Sequence, residues 1–332
     1  MKKEKHEMNN IPLSGKGLEA NFDQTSLLYM PRQLQEAPKY IYGGVAADSD
    51  LRLLNDFTRQ PKSFVHRLLK FLFVGRIPLS ANVVARLTGF DGYKQLTRIA
   101  PSDRLLLDGV SNPRTLKAIR WIVPRQTRCY DYFNNSLRFV YGNTDIDATT
   151  KRIKKIGYQL ATFDPADAEK YGMLYTEQYY RFPDGPATVE EEYDFFFCGA
   201  SKDRTERLHS LRSMLEGKGF RCLFIDVKSP SERISYEQYL SYLSRSRCLV
   251  DLMQEGQTGI TRRPVEALFW NKKLLTENSH IARYDFYDER NISILTAETE
   301  KEIEKFMSTP MSEVPTEIKR RYDINHWLSY FK

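Results

Sequence analysis

Residues 193–227, YDFFFCGASKDRTERLHSLRSMLEGKGFRCLFIDV, decide the fold class. YDFFFCGA, with Phe195–Cys198 at its centre, reads as a strand, and Gly199 permits a tight turn after it. SKDRTERLHSLRSMLEGKG follows, with Leu208, Leu211 and Leu215 at helical spacing and Gly217 or Gly219 to end it. FRCLFIDV is a second apolar run. A strand, a helix and a strand in this order predict a parallel sheet with helices on its faces.

The same alternation extends in both directions. Toward the C-terminus lie SYEQYLSYLSRS (helix), RCLVDLM, KKLLTEN and NISIL (strands), then ETEKEIEKFM and IKRRYDINHWLSYF (helices). Toward the N-terminus, DRLLLDGV, TRCYDYF and YQLATFD read as strands. Between them are NPRTLKAIRWIVP, opened by Asn112-Pro113, and TDIDATTKRIKKIG, capped by Thr144 or Asp145 and closed by Gly157. PADAEKYG adds a short helix, and KYIYGGVA reads as a strand ending at Gly43-Gly44. PDGPATVEEE, residues 183–192, has linker composition. The expected organisation is a loosely attached segment at 1–37, a first unit at 38–185 and a second unit at 190–332. Each is an α/β Rossmann-like domain, and the two face a cleft at the carboxyl ends of their strands.

Composition sets the class. With 332 residues, 41% hydrophobic and 28% charged, the chain suits two ordinary soluble domains. No apolar run reaches the ~18 residues of a membrane span, and the charged N-terminus lacks the apolar core of a secretory signal. Cys129, Cys198, Cys222 and Cys248 are widely spaced, without CxxC pairing, as expected of reduced thiols in the cytoplasm. No zinc-type histidine spacing occurs. The net charge of +7 is uneven: Thr58–Phe90 holds six Lys or Arg and no acid. There SFVHRLLKFLFVGRIPL interleaves cations with aromatic residues. Phe64, Arg67, Lys70, Phe71 and Phe73 would dock on an anionic membrane face, or the same helix buries its apolar side in the first core. No nucleic-acid-binding motif is present.

The chemistry concentrates in 251–278, DLMQEGQTGITRRPVEALFWNKKLLTEN. A strand runs into a loop with Gly256 and Gly259, and a helix then opens at Pro264. Such a helix start presents unpaired N–H groups and a positive dipole end to an anion. Thr258 and Gly259 are candidate diphosphate contacts. Of Arg262 and Arg263, the planar fork of Arg263 is expected to face the ligand. At the head of the second unit, Gly199 allows a tight turn, and Lys202 and Arg204 are placed to neutralise a diphosphate. Asn134 and Asn135 end the TRCYDYF strand, either holding an acceptor or donor sugar or simply forming the turn. Asp48-x-Asp50 and Asp145-x-Asp147 match a two-carboxylate metal pattern, although Asp145 also reads as a helix cap; no metal is expected. Asp131, Asp164 and His66 are the available general bases.

EG followed by EAL and a short strand ending in Thr276-x-Asn278 resembles the nucleotide-sugar loop of GT-B glycosyltransferases, most closely the bacterial enzymes that build lipopolysaccharide, capsule or exopolysaccharide. The likeness covers about residues 100–300. It implies that Glu266 holds the ribose hydroxyls and that Glu255 meets the donor sugar as the catalytic-side carboxylate. Glu255 and Glu266 are eleven positions apart, a longer loop than the family's. The resemblance implies metal-independent transfer from a nucleoside-diphosphate sugar to a glycan or lipid-linked acceptor, at the cytoplasmic face of the membrane and without a cofactor. Two other readings stand beside it. Residues 193–226 superficially resemble the start of a TIR domain, which signals or cleaves NAD, and a sugar-nucleotide-binding protein without catalysis would share the fold.

Overall fold

The structure is a computed structural model that describes residues 26–30, 40–46, 49–54, 58, 60–184, 189–200, 204–253, 257–296 and 298–331. Its first unit is a six-stranded, all-parallel sheet in the order β2-β1-β3-β4-β5-β6. The strands are β1 (Leu27–Met30), β2 (Leu51–Leu53), β3 (Arg104–Asp108), β4 (Arg128–Phe133), β5 (Tyr158–Thr162) and β6 (Leu174–Tyr175). Its helices are α1 (Phe64–Phe73), α2 (Ala81–Thr88), α3 (Pro113–Ile122), α4 (Leu137–Tyr141), α5 (Ile146–Ile156) and α6 (Pro165–Tyr171).

The second unit is a five-stranded parallel sheet in the order β11-β10-β9-β7-β8. It comprises β7 (Tyr193–Gly199), β8 (Cys222–Asp226), β9 (Ser246–Asp251), β10 (Lys273–Thr276) and β11 (Ile292–Ile294). Helices α7 (Thr205–Gly217), α8 (Tyr236–Ser244), α9 (Arg262–Phe269) and α10 (Thr299–Ser308) accompany it. The chain closes with α11 (Thr316–Arg321) and α12 (Ile324–Ser329). In both sheets the first strand lies between the second and the third. The strand order therefore reverses beside β1 and beside β7, and a ligand crevice opens at such a point.

Alternate side chains of each strand enter different cores, as the two-residue strand period requires. Leu106, Tyr130 and Tyr132 join Phe196, Leu249 and Val265 in one cluster shared by the two units. Leu105, Leu107, Cys129 and Phe133 fill a second core behind the first sheet. Phe195, Phe197, Cys248 and Val250 fill a third behind the second. This explains why the strands read as continuous apolar runs. The helix signals hold as well: Asn112 caps α3, Asp145 caps α5, and Gly157 ends α5 in the left-handed conformation.

Three expectations change. Leu27–Met30, placed in a loose segment, is instead β1, an inner strand paired on both sides. Four apolar residues between polar flanks are too short to show a period. Tyr40–Tyr42 is helical rather than a strand, with Ile41 buried in the shared cluster, so packing overrides the β-propensity of the tyrosines. The end of the chain, assigned to the second unit, crosses to the first. Tyr322 and Ile324 exchange backbone bonds of 2.8 Å with Tyr180, and Trp327 stacks on Tyr179 at 4.0 Å. Of the linker, residues 185–188 lie outside the described residues.

The units also meet through Asp164, just past β5 and only 1% exposed. Its Oδ1 accepts from the N–H groups of Ala166 and Asp167 at 3.0 and 3.1 Å, capping α6. The same oxygen accepts from Thr258 Oγ1 at 2.7 Å, and Oδ2 accepts from the backbone N–H groups of Thr258 and Gly259 at 2.8 and 2.9 Å. Gly259 is held so close that a Cβ there would lie 2.7 Å from the Phe163 carbonyl oxygen and 3.0 Å from Asp164 Cα. Gly259→Ala should therefore lower stability by roughly 1–3 kcal/mol through overpacking against backbone. Chemical denaturation checks this, and an unchanged midpoint would refute the close approach.

Candidate functional site

A cavity of about 1140 Å³ opens between the carboxyl ends of the two sheets. Asn134 and Asn135, following β4, line it from the first unit. Gly199 and Ala200 after β7, Val227–Ser229 after β8, and the start of α9 line it from the second. Among the described residues, five that line it are Lys or Arg, and Glu266 is the single acid. Such a balance favours a polyanion.

The cations differ in what they do. Arg204 donates to the carbonyls of Leu252 and Ala200, bracing the ends of β9 and β7. Arg263 donates to the Cys198 carbonyl, sits 4.7 Å over the Phe197 ring, and approaches Asp251 at 3.6 Å. Asp251, fully buried, also accepts from Thr261 Oγ1 at 2.9 Å and Thr276 Oγ1 at 3.0 Å. These groups form the frame of the crevice. Arg262 is of another kind. Its Nε is buried with no hydrogen-bond partner, and its side chain lines the cavity among the hydroxyls of Tyr42, Tyr179 and Tyr236. Those neighbours and Glu266 hold its guanidinium firmly protonated against the cost of burial.

Arg263, the arginine expected to face the ligand, lines the cavity, and Arg262 lines it beside it. The helix begins at Arg262 after the Thr261 cap, two residues before the expected start at Pro264. Thr258 and Gly259 are corrected. They stand outside the cavity lining, and their N–H groups and the threonine hydroxyl serve Asp164 instead of a diphosphate. Gly199, Arg204, Glu266, Asn134 and Asn135 do line the cavity. Glu255, Gly256 and Lys202 lie outside the described residues.

Glu266 is 3% exposed and receives hydroxyl hydrogen bonds from Tyr239 and, at 3.4 Å, from Tyr236. Those two rings stack at 5.4 Å and 15°, one turn apart on α8 behind the Ser235 cap. Tyr236 also bonds Tyr180 at 2.7 Å. Sequence reading passed over this tyrosine pair, together with Lys228 and Arg233, which line the same wall. Its only sign was the three-residue spacing in SYEQY.

The remaining candidates fall elsewhere. Asp131 is fully buried and accepts from the Val110 N–H at 2.9 Å, Asp164 joins the units, and His66 abuts Gly89. None lines the cavity. Asp145 caps α5, Asp147 pairs with Lys151, and Asp50 pairs with Arg104. Asp48 lies outside the described residues. Among the described residues no group of three His, Cys, Asp or Glu could hold a metal ion. The docking residues Phe64, Arg67, Lys70, Phe71 and Phe73 lie on α1, away from the cavity lining.

Burial raises the Glu266 carboxyl above its ordinary pKa of 4.5, with the Tyr239 hydroxyl and Arg262 opposing the shift. A carboxyl raised on folding costs stability as pH climbs from its unfolded value through its folded one. Glu266→Gln should therefore melt no lower than the parent at neutral pH, with the difference closing as pH falls toward 4.5. Thermal melts across pH check this, and a deficit for the glutamine variant at neutral pH would contradict it. No protein-family model matches this chain, and no curated protein matches it in sequence.

Proposed function

We propose that this chain is a glycosyltransferase that moves a sugar from a nucleoside-diphosphate donor to a glycan or lipid-linked acceptor of the cell surface. The observation that carries the reading is Arg262, a half-buried side chain whose buried Nε is unpartnered, lining a cationic cavity where two parallel sheets end. Breaking the bond between sugar and diphosphate leaves negative charge on the departing phosphate, and fixed cations in a water-poor cleft stabilise it best. Arg262 supplies that charge, while Lys228 and Arg233 stand at the same wall.

Glu266, with tyrosine hydroxyls already aimed at it, retains lone pairs to accept the ribose hydroxyls, since each carboxylate oxygen takes about two hydrogen bonds. The stacked Tyr236–Tyr239 pair offers a flat apolar edge beside it. Asn134 and Asn135 face these groups from the first unit and are the acceptor-side candidates. Glu255 and Lys202 lie outside the described residues, and their roles as sugar-facing carboxylate and phosphate cation follow from the GT-B likeness alone. The chemistry needs no metal when protein cations carry the leaving charge.

The test is a thermal-shift panel of UDP, GDP, CMP, their sugar conjugates and NAD, followed by calorimetry on the best ligand. One nucleoside diphosphate should bind without added magnesium. Arg262→Ala should weaken it roughly ten- to hundredfold, the range for a hydrogen bond to a charged group. A shift by NAD alone, or equal affinity in the variant, would overturn the proposal.

A further inference from the structure

Helix α1, FVHRLLKFLF, is turned inside out. Its apolar stripe of Phe64, Val65, Leu68, Phe71 and Leu72 follows the spacing of one helix face, which normally packs inward. Here the stripe faces away from the protein: Phe64 is 70% exposed, Val65 59% and Phe71 58%. The residues nearer the protein are Leu69, His66, whose ring abuts Gly89, and Lys70, whose ammonium lies 3.4 Å from the Thr58 carbonyl. No residue of the helix is buried. The interior-packing reading of this segment is thereby overturned.

The apolar surface continues beyond the helix. Ile77 and Val83 are exposed beside it. The guanidinium groups of Arg76 and Arg114 sit 5.2 and 5.4 Å over the Phe71 ring, joining α1 to the outer face of α3. Further along that face Lys117 lies 4.8 Å over Trp121, itself 37% exposed. Lys62 and Arg67 complete a cationic border, and no Asp or Glu occurs from Thr58 to Phe90.

We propose that α1 and the outer face of α3 form a docking surface for an anionic lipid bilayer, with the stripe of α1 lying in the interface. Charge and shape select this occupant. A two-fold pairing with a second copy would set cations against cations with no acid between them. Nucleic acid would use the cations but gain little from five aliphatic and phenyl side chains on one helix. A bilayer with acidic headgroups uses both: the ten-residue helix is about 15 Å long, too short to span and suited to lying flat. Relative to the sequence expectation, Lys70 moves to the protein side, and Val65, Leu68, Leu72, Arg114 and Trp121 join the surface. α3 starts at the carboxyl end of β3, the same end of the sheet as Asn134 and Asn135. The surface thus reaches the edge where an acceptor would enter. The proposal does not depend on the transfer reaction, because vesicle binding is read without a donor.

The test is co-sedimentation of the full chain with phosphatidylglycerol–phosphatidylcholine vesicles and with pure phosphatidylcholine, while following tryptophan fluorescence. The chain should bind the anionic vesicles, bind less as salt rises, and shift its emission to the blue through Trp121. The double variant Phe64→Ser, Phe71→Ser should bind roughly tenfold or more weakly, since two buried phenyl groups are lost. Arg114→Glu with Lys117→Glu should weaken anionic binding selectively, and Trp121→Phe should abolish the shift while preserving binding. Because every substituted side chain is partly or wholly exposed, unchanged thermal melts will show that the variants fold. Absence of vesicle binding, parental binding by both double variants, or a dimer dispersed by the phenylalanine substitutions would each overturn the proposal.

Discussion

One buried carboxylate holds the arrangement together. Asp164 is removed from water and accepts five hydrogen bonds, two from the start of its own helix and three from Thr258 and Gly259. A buried carboxylate is tolerated only when donors replace its hydration. Here they come from both units, so neither unit satisfies Asp164 alone. The contact pins the loop after β9 to the end of β5, and Gly259 is the residue that lets the two backbones approach so closely. From that anchor α9 starts where Arg262 and Glu266 enter the cavity.

Three of the arginines around the crevice illustrate how hydrogen-bond accounting separates scaffold from site. Arg204 and Arg263 satisfy carbonyls left open where β7 and β9 end, and Asp251 organises the same corner through two threonine hydroxyls. These groups would be costly to disturb because each is paired and wholly or largely buried. Arg262 lacks such an obligation at Nε and sits among tyrosine hydroxyls. Glu266, kept above its ordinary pKa by burial, is similarly poised for a donor that the protein alone supplies only in part.

Much of the fold was legible in local pattern. Apolar runs such as RLLLD and DFFF announce strands buried on both faces, and Asn112-Pro113 and Asp145 carry their capping chemistry in the sequence. β1 was missed because Leu27–Met30 owes its place to neighbours at 51–53 and 104–107, not to its own period. The site was legible as a region but not in its assignments. The partner of Thr258 and Gly259 lies more than ninety residues away, and nothing near them in sequence signals it. A helix starting two residues before Pro264 carries Arg262 into the cavity wall beside Arg263. Tyr236 and Tyr239 look like ordinary core aromatics until Glu266 is placed beside them. The outward turn of α1 is invisible to periodicity, which fixes a stripe but not the side it faces.

The central claim is that the cavity between the sheets, centred on Arg262, is where a nucleoside diphosphate binds. Hydrogen exchange on the full chain, with and without a saturating mixture of UDP and GDP, tests it most directly. The account predicts slowed exchange at residues 198–200, 227–236 and 262–266, the lining of the second unit. Unchanged exchange in those segments, or slowing confined to the surface of the first unit, would contradict it.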